Sequence, residues 1–525
     1  MASKSRRRFL LELGAASAAV TSAATTPRAT GLCLNEDNSH YFFTRAGQDL
    51  DAEAVASFVD QYAGTQVREL LLSPNAMRTS YESKVWDPIW RGYDPAGPDD
   101  QPLFASTPAE ARKGARQWVH TAWQLAQKKI DPYALWTRRA RRHGLSPWLS
   151  MRMNDLHNVD DERSFMHSEF WRAHPALRRV PWRSASWYDR AFDYSHAAVR
   201  EHHLKLVREL AGRYDVDGLE LDWMRFPYHF APGREGEGGE LLTGFMRRVR
   251  GILDAAALRR RSQRRIRIGV RVPSRPQTAI AMGLDAVRWA QLGLCDMVTV
   301  TPYWASIETA MPVDLWRRLL PARVTLAAGL ELLIRPYHVY RIQKNSLETV
   351  RGAAAAMLSQ GADRVYLFNY MDSQTAMDSM AEYRSVLAEC GASRTLSGKP
   401  RRHVVTYPDT WAPGEASAAL LPKSAQPGEW LTFRVATGGP RWRRAEVRLA
   451  CEGAAPPQEV RVNASAPCRY LGRALAEQAA APWPVHEMHA WSMPTEANAA
   501  ETVIDLRAAP NSGALTIHWV EIAVS

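Results

Sequence analysis

Residues 213–227 read R-Y-D-V-D-G-L-E-L-D-W-M-R-F-P. The segment opens as a helix end and a turn, passes into a short strand, and stops at Pro227, which has no N–H to continue a ladder. In an extended backbone Gly218, Glu220 and Asp222 face one way, while Leu219, Leu221 and Trp223 face the other. One face therefore carries two carboxylates and the other is apolar. That division suits a strand of a parallel barrel, whose outer face packs on helices while polar groups near its C-terminal end look into the mouth. A plainer reading pairs the two carboxylates with Arg152, Arg225 or Arg271.

On either side of this stretch, apolar runs alternate with helical patterns from 31 to 390, as in successive βα units. Eight strands are predicted, at 31–35, 67–75, 146–154, 216–223, 266–272, 297–303, 324–330 and 364–369. Val199, His203, Leu206, Val207 and Leu210 form one stripe of a helix over 194–214, and Gly361 is placed to stop a helix over 346–360. The predicted fold class is α/β, with a (β/α)8 TIM-type barrel over 31–392. A doubly wound open sheet is the alternative, but no Gly-rich phosphate turn follows an early strand. Residues 393–428, rich in Pro, Gly, Ser and basic residues, read as a connector. Alternating runs at 430–436, 445–451, 459–463, 502–506 and 514–524 make 429–525 a small all-β sandwich domain. Its role is glycan binding or, equally, that of a lid or stabilising domain.

In a barrel, function gathers at the C-terminal strand ends. There the sequence places Asn35, Glu36, Asp37, Asn75, Arg152, Asn154, Asp155, Glu220, Asp222, Arg225, Arg271, Thr301, Tyr303, Trp304, Glu331, Asn369 and Tyr370. Long loops after the second, third and fourth strands add Trp86, Trp90, Trp171, Trp182, Trp187 and several tyrosines. The chain holds 19 tryptophans, and aromatic faces of this kind stack on pyranose rings. About half of the loop aromatics are assigned to packing the loops instead.

The run D-G-L-E-L-D-W-M-R-F-P resembles the motif of the glycosyl-hydrolase-like family 10 proteins, where a D-G-(I/L)-x-(F/L)-D strand ends in an aromatic, basic and proline run. The resemblance spans about 31–390, in pattern more than in letters. It is looser to the family 18 chitinases, whose strand ends in a catalytic glutamate. Met224 stands at that position here, so a mechanism through that acid is not available.

Together these features predict a glycoside hydrolase-like protein that cleaves a polysaccharide or glycoconjugate with paired carboxylates. One protonates the leaving oxygen and the other attacks or activates water. Asp222 is the first choice and Glu331 the second, because strands four and seven can face each other across the mouth; Glu220 and Asp155 are in reserve. Asn75, Arg152, Asn154, Asp155, Arg225, Arg271, Tyr303, Trp304 and Asn369 are the candidate substrate-binding residues. The alternative is a non-catalytic carbohydrate-binding protein on the same fold. No cofactor is expected: His157, His167 and His174 share a loop at a spacing that matches no zinc pattern. A calcium ion on Glu36, Asp37 and Asp155 is the remaining metal option.

The net charge of +12 comes largely from arginine. Basic runs at 138–142 and 259–265 read as solvated helix faces, with a polyanionic partner as the alternative. No nucleic-acid motif accompanies them, so no nucleic-acid partner is expected. Ser5-Arg6-Arg7-Arg8-Phe9-Leu10-Leu11 and the modest apolar stretch to Ala24 read as a twin-arginine signal over 1–30. That implies the twin-arginine translocase as a partner during export and a periplasmic or extracellular location. Gly31-Leu32 before Cys33 is a poor lipidation context, and no later apolar run could span a bilayer, so no stable membrane anchor is expected. Of five cysteines, Cys33 and Cys295 read as buried thiols, while Cys451 and Cys468 are either thiols or a disulfide.

Overall fold

A computed structural model of the chain describes residues 29–260, 263–373, 377–416, 419–438, 442–453, 455–473, 487–494 and 500–525. The twin-arginine motif at 5–11 lies outside the described residues. The strands are β1 Gly31–Glu36, β2 Val67–Leu72, β3 Ser146–Arg152, β4 Gly218–Asp222, β5 Arg267–Pro273, β6 Met297–Thr301 and β7 Thr325–Leu330, then a two-residue ribbon of β8 Leu333–Ile334 and β9 Gln343–Lys344, and β10 Arg364–Phe368. All but the ribbon are parallel and close a barrel in the order β1-β10-β7-β6-β5-β4-β3-β2. All eight predicted strands are present. Several end earlier than predicted, because the chain turns into its loop as soon as the mouth is reached.

The faces of β4 divide as its alternation requires. Trp223, just past the strand, packs outward on Tyr194, His229, Phe245 and Trp289. Glu220 and Asp222 point inward, where Ser150 and Arg152 of β3 lie beside them in register, as do Gly269 and Arg271 of β5. Below these, Cys33, Leu71, Trp148, Met297, Ala327, Tyr366 and Phe368 fill the barrel as a separate apolar plug. The plug explains the D-G that opens the motif. A Cβ on Gly218 would lie 2.3 Å from the Trp148 ring, and Asp217 accepts hydrogen bonds from Arg141 and Ser146. Both residues serve the closed end of the barrel, away from its mouth.

The helix Ala197–Arg213 buries Val199, His203, Leu206, Val207 and Leu210 along one stripe. In the helix Leu347–Ser359 the Ser346 side chain caps the Thr349 N–H. Gly361, at φ 97°, takes the left-handed conformation that lets the chain turn toward β10.

The C-terminal region is a two-sheet β structure. Its strands are β11 Arg401–Val404, β12 Lys423–Ala425, β13 Trp430–Ala436, β14 Ala445–Glu452, β15 Glu459–Val462, β16 Tyr470–Arg473, β17 Glu487–Ser492, β18 Glu501–Arg507 and β19 Leu515–Val524. One sheet runs β11-β19-β14-β17-β16 with β12 also on β19, and the other runs β13-β18-β15.

Two sequence readings are made more specific here. First, the segment 393–428, read as a connector, carries two short strands, β11 and β12, and both pair with β19. The backbone of β11 presses on a barrel helix so closely that a Cβ on Gly352 would sit 1.9 Å from the Arg402 carbonyl oxygen. Pro, Gly and basic residues mask β11, which draws its stability from tertiary contacts, among them the buried Arg402–Glu521 ion pair. Second, of the two states left open for Cys451 and Cys468, the structure shows free, buried thiols, as for Cys33, Cys295 and Cys390.

Candidate active site

The barrel mouth is lined by charges that belong to different strands. Asp222 closes β4, and its Oδ1 accepts the backbone N–H groups of Met224 and Arg225, each at 2.9 Å. Arg271, the in-register residue of β5, reaches Asp222 through Nη1 at 3.3 Å and Glu331 through Nη2 at 2.9 Å. Its guanidinium lies 3.7 Å from the centre of the Phe368 ring and is wholly buried. One guanidinium therefore separates the carboxyl groups of the fourth and seventh strand tips. Burial pushes the Glu331 carboxyl well above its ordinary range, and Arg271 opposes that rise.

Beside this triad a second set of charges alternates in sign. Arg152 donates to Asp37 and, at 3.0 Å, to Asp155. Burial works to raise both carboxyls, but Arg152 on Asp37, and His157 with Arg152 on Asp155, hold each well below the usual carboxylate range. Asp155 bonds His157 Nδ1 at 2.8 Å, and Arg225 Nη2 lies 2.6 Å from the Nε2 of the same ring. His157 thus carries its proton on Nδ1 and accepts from Arg225. These partners leave no free carboxylates for the calcium set considered from sequence, because Glu36 is also occupied, by His40 and Tyr62.

The cleft above has a volume of about 690 Å³ and is lined by His157, Asn158, Asp160, Trp187, Arg225, Phe226, Tyr303, Trp304, Glu331, Lys344 and Asn369, among others. Trp187 stacks on Tyr303 at 6.0 Å, and Phe226 meets Tyr303 at 5.9 Å, so one wall is continuous aromatic surface. Of the residues expected from sequence, Glu331, Arg225, Tyr303, Trp304 and Asn369 line this cleft. Asp222, Arg271, Arg152 and Asp155 are not part of that lining; they are at most 4% exposed, and Glu331, though it lines the cleft, is only 2% exposed.

Three expected residues have other duties. Glu220 is wholly buried one layer down, accepting from Ser150 and Tyr366 at 2.7 Å each. Burial and the neighbouring Asp222 push its carboxyl up to about 7. Asn154 ties two loops together through the carbonyls of Phe192 and Tyr228. Asn75 donates to the carbonyls of Ala76 and Arg152. Most loop aromatics pack the scaffold too: Trp86 stacks on His202 at 4.5 Å, and Trp171 donates its N–H to the Arg190 carbonyl.

The residue that sequence reasoning missed is Asp409, which lies beyond the barrel in the segment after β11. Its carboxylate accepts three consecutive backbone N–H groups, of Tyr303 at 2.7 Å, Trp304 at 2.9 Å and Ala305 at 2.7 Å. It thereby pins the loop that carries two of the cleft aromatics. Nothing in Tyr407-Pro408-Asp409 signals more than a turn.

No protein-family model matches the chain, and no curated protein sequence does. Among solved structures it is similar to α-L-fucosidase isoenzyme 2 from Paenibacillus thiaminolyticus, at 11% identity and a TM-score of 0.40 over 68% of this chain and 48% of that one. It is also similar to the PgaB (BpsB) glycoside hydrolase domain from Bordetella bronchiseptica, at 11% identity and a TM-score of 0.39 over 69% and 99% of the two chains. Chitinase ChiW from Paenibacillus sp. str. FPU-7 is similar at 9% identity and 0.39 over 94% and 54%. The chain spans about half the length of the fucosidase and of ChiW.

Two predictions follow the geometry. Charge-assisted hydrogen bonds contribute about 1.5–3 kcal/mol each, so Asp409→Ala should release the 303–305 loop. The backbone amides of Tyr303, Trp304 and Ala305 should then exchange with solvent at least about tenfold faster than in the native protein; unchanged protection would remove Asp409 from this role. For Glu220, the carboxyl titrates at about 7 in the fold against an ordinary 4.5. Between those values the folded state binds more protons than the unfolded chain, so the contribution of this group to stability falls as pH rises through the window. Its limit is on the order of 3 kcal/mol. Glu220→Gln keeps the acceptor for Ser150 and Tyr366 but does not titrate. Its melting temperature relative to the native protein should shift in the variant's favour from about pH 4.5 to 7, and parallel curves would contradict the burial effect.

Proposed function

We propose that the protein is a glycoside hydrolase that cleaves bonds within a polysaccharide or glycoconjugate, with Glu331 as proton donor. The observation that carries this reading is Glu331 itself, a strand-tip carboxyl that lines an aromatic-walled cleft and whose pKa burial raises against the pull of Arg271. A carboxyl whose pKa is raised above the ordinary range is better suited to protonate a leaving oxygen. Arg271 fixes its orientation, and Trp187, Phe226, Tyr303 and Trp304 offer faces for pyranose rings.

The reaction also needs a group that attacks the sugar or directs water. Asp160 is the other carboxyl of the cleft wall and has open access. Asp222, covered by Arg271 and its own turn, acts as a positioning residue that holds the guanidinium. A non-catalytic carbohydrate-binding protein is the second reading, favoured by the way Arg271 engages both Asp222 and Glu331. We further propose export by the twin-arginine route to the periplasm or beyond, on the strength of residues 5–24.

Incubation with a panel of polysaccharides should release new reducing ends. Glu331→Gln should lower that rate at least about a hundredfold with little change in melting temperature, because glutamine still accepts from Arg271. Asp160→Asn reports separately on the water-directing role. Asp222→Asn should act first on stability, since breaking a buried pair costs about 3–5 kcal/mol. Binding of a glycan without release of ends would select the binding-protein reading, and full activity in Glu331→Gln would end the role given to Glu331. For export, the double change Arg6→Lys, Arg7→Lys should retain the precursor in the cytoplasm, and normal export would refute the signal.

A further inference from the structure

The cleft does not end at the barrel axis. Asn158 and Asp160, in the loop after β3, belong to its wall and also to the wall of a second cavity, of about 570 Å³. That cavity lies over the rim, between the loops that follow β1, β2 and β3. Phe43 lines it and is 49% exposed. Gly114 provides the seat for that ring, since a Cβ there would approach it to 3.0 Å. Trp118 and Phe165 meet edge to face behind it at 5.8 Å.

The polar lining is equally informative. Ser39, Ser106 and Thr107 bring hydroxyls, and Asp160 and Asp161 bring carboxylates. The Ser106 hydroxyl and the Trp118 indole N–H have no hydrogen-bond partner among the described residues. Among the described residues no lysine or arginine lines the cavity, although the chain carries 67 of them and a net charge of +12. An exposed ring face with hydroxyls and carboxylates fits a sugar with many hydroxyl donors. The absence of cations, with two acidic groups present, disfavours anionic sugars.

We propose that this cavity is a remote subsite for uncharged sugar units of the same chain whose scissile bond lies at Glu331. The protein then acts on extended neutral glycans rather than on disaccharides. The inference rests on the hydrolase reading for its chemistry but not for its binding.

The test uses the full chain with ladders of chito-, cello- and laminari-oligosaccharides. On a ladder that is cleaved, kcat/KM should rise with length until the rim cavity is reached. Phe43→Ala removes the exposed ring, and Ala111→Trp fills the cavity from its rim. Both should lower kcat/KM for the longest oligomers about five- to tenfold, the scale of one lost ring contact, and leave the shortest cleaved oligomer unaffected. A flat dependence on length, or equal losses at every length, would overturn the subsite while leaving the hydrolase reading in place. If no ladder is cleaved, calorimetry on the same oligomers decides the matter. Length-dependent binding that Phe43→Ala weakens supports the subsite alone, and absence of binding overturns it.

Discussion

The mouth of the barrel depends on Arg271. Its guanidinium is wholly buried and lies between the carboxyl groups of Asp222 and Glu331, with Phe368 beneath its face. Three ionisable groups can be buried together only where each offsets the desolvation of its neighbour. Asp222 meets this condition with Arg271 and two backbone N–H groups. Glu331, with Arg271 alone, meets it less fully, and its carboxyl rises accordingly. Two carboxyls around one arginine thus have different hydrogen-bonding environments.

The same principle organises the rest of the mouth. Arg152 engages Asp37 and Asp155, Asp155 orients His157, and His157 accepts from Arg225. Each charged group has a partner of opposite sign or a hydrogen-bonding neighbour, so the row forms a rigid floor. The groups that line the cleft above this floor include Glu331, Arg225, His157, Asp160, Asn369 and the aromatic wall. Their positions are set from beneath by residues that a substrate would not touch.

The C-terminal β region enters the same construction from outside. Asp409 pins Tyr303, Trp304 and Ala305, and Thr406 and Val404 hold Thr309 further along the same loop. Arg275, just after β5, and Thr278, in the short helix Pro276–Ala281 that follows, bond Thr410 and Glu415. Two of the barrel's mouth loops are thus shaped by a segment from beyond the barrel. That makes the segment after β11 a structural part of the cleft.

Much of the fold was legible in the sequence because periodicity is local. The alternation of Glu220 and Asp222 against Leu219, Leu221 and Trp223 fixes which face of β4 is inside whatever surrounds it, and the eight strands follow from the same kind of pattern. The sequence alone also named Glu331, Arg225, Tyr303, Trp304 and Asn369, since strand-end position is a property of the chain. Only the tertiary structure decided that Asp222 is covered, that Glu220 lies a layer below the cleft, and that Asn154 and Asn75 bond backbone. Only the tertiary structure, too, brought Asp409 to Tyr303 across 106 residues. The physical reason is one of range. A strand's inward face follows from a two-residue repeat, whereas the exposure and ionisation of a carboxyl depend on which distant arginine or backbone amide folding brings beside it.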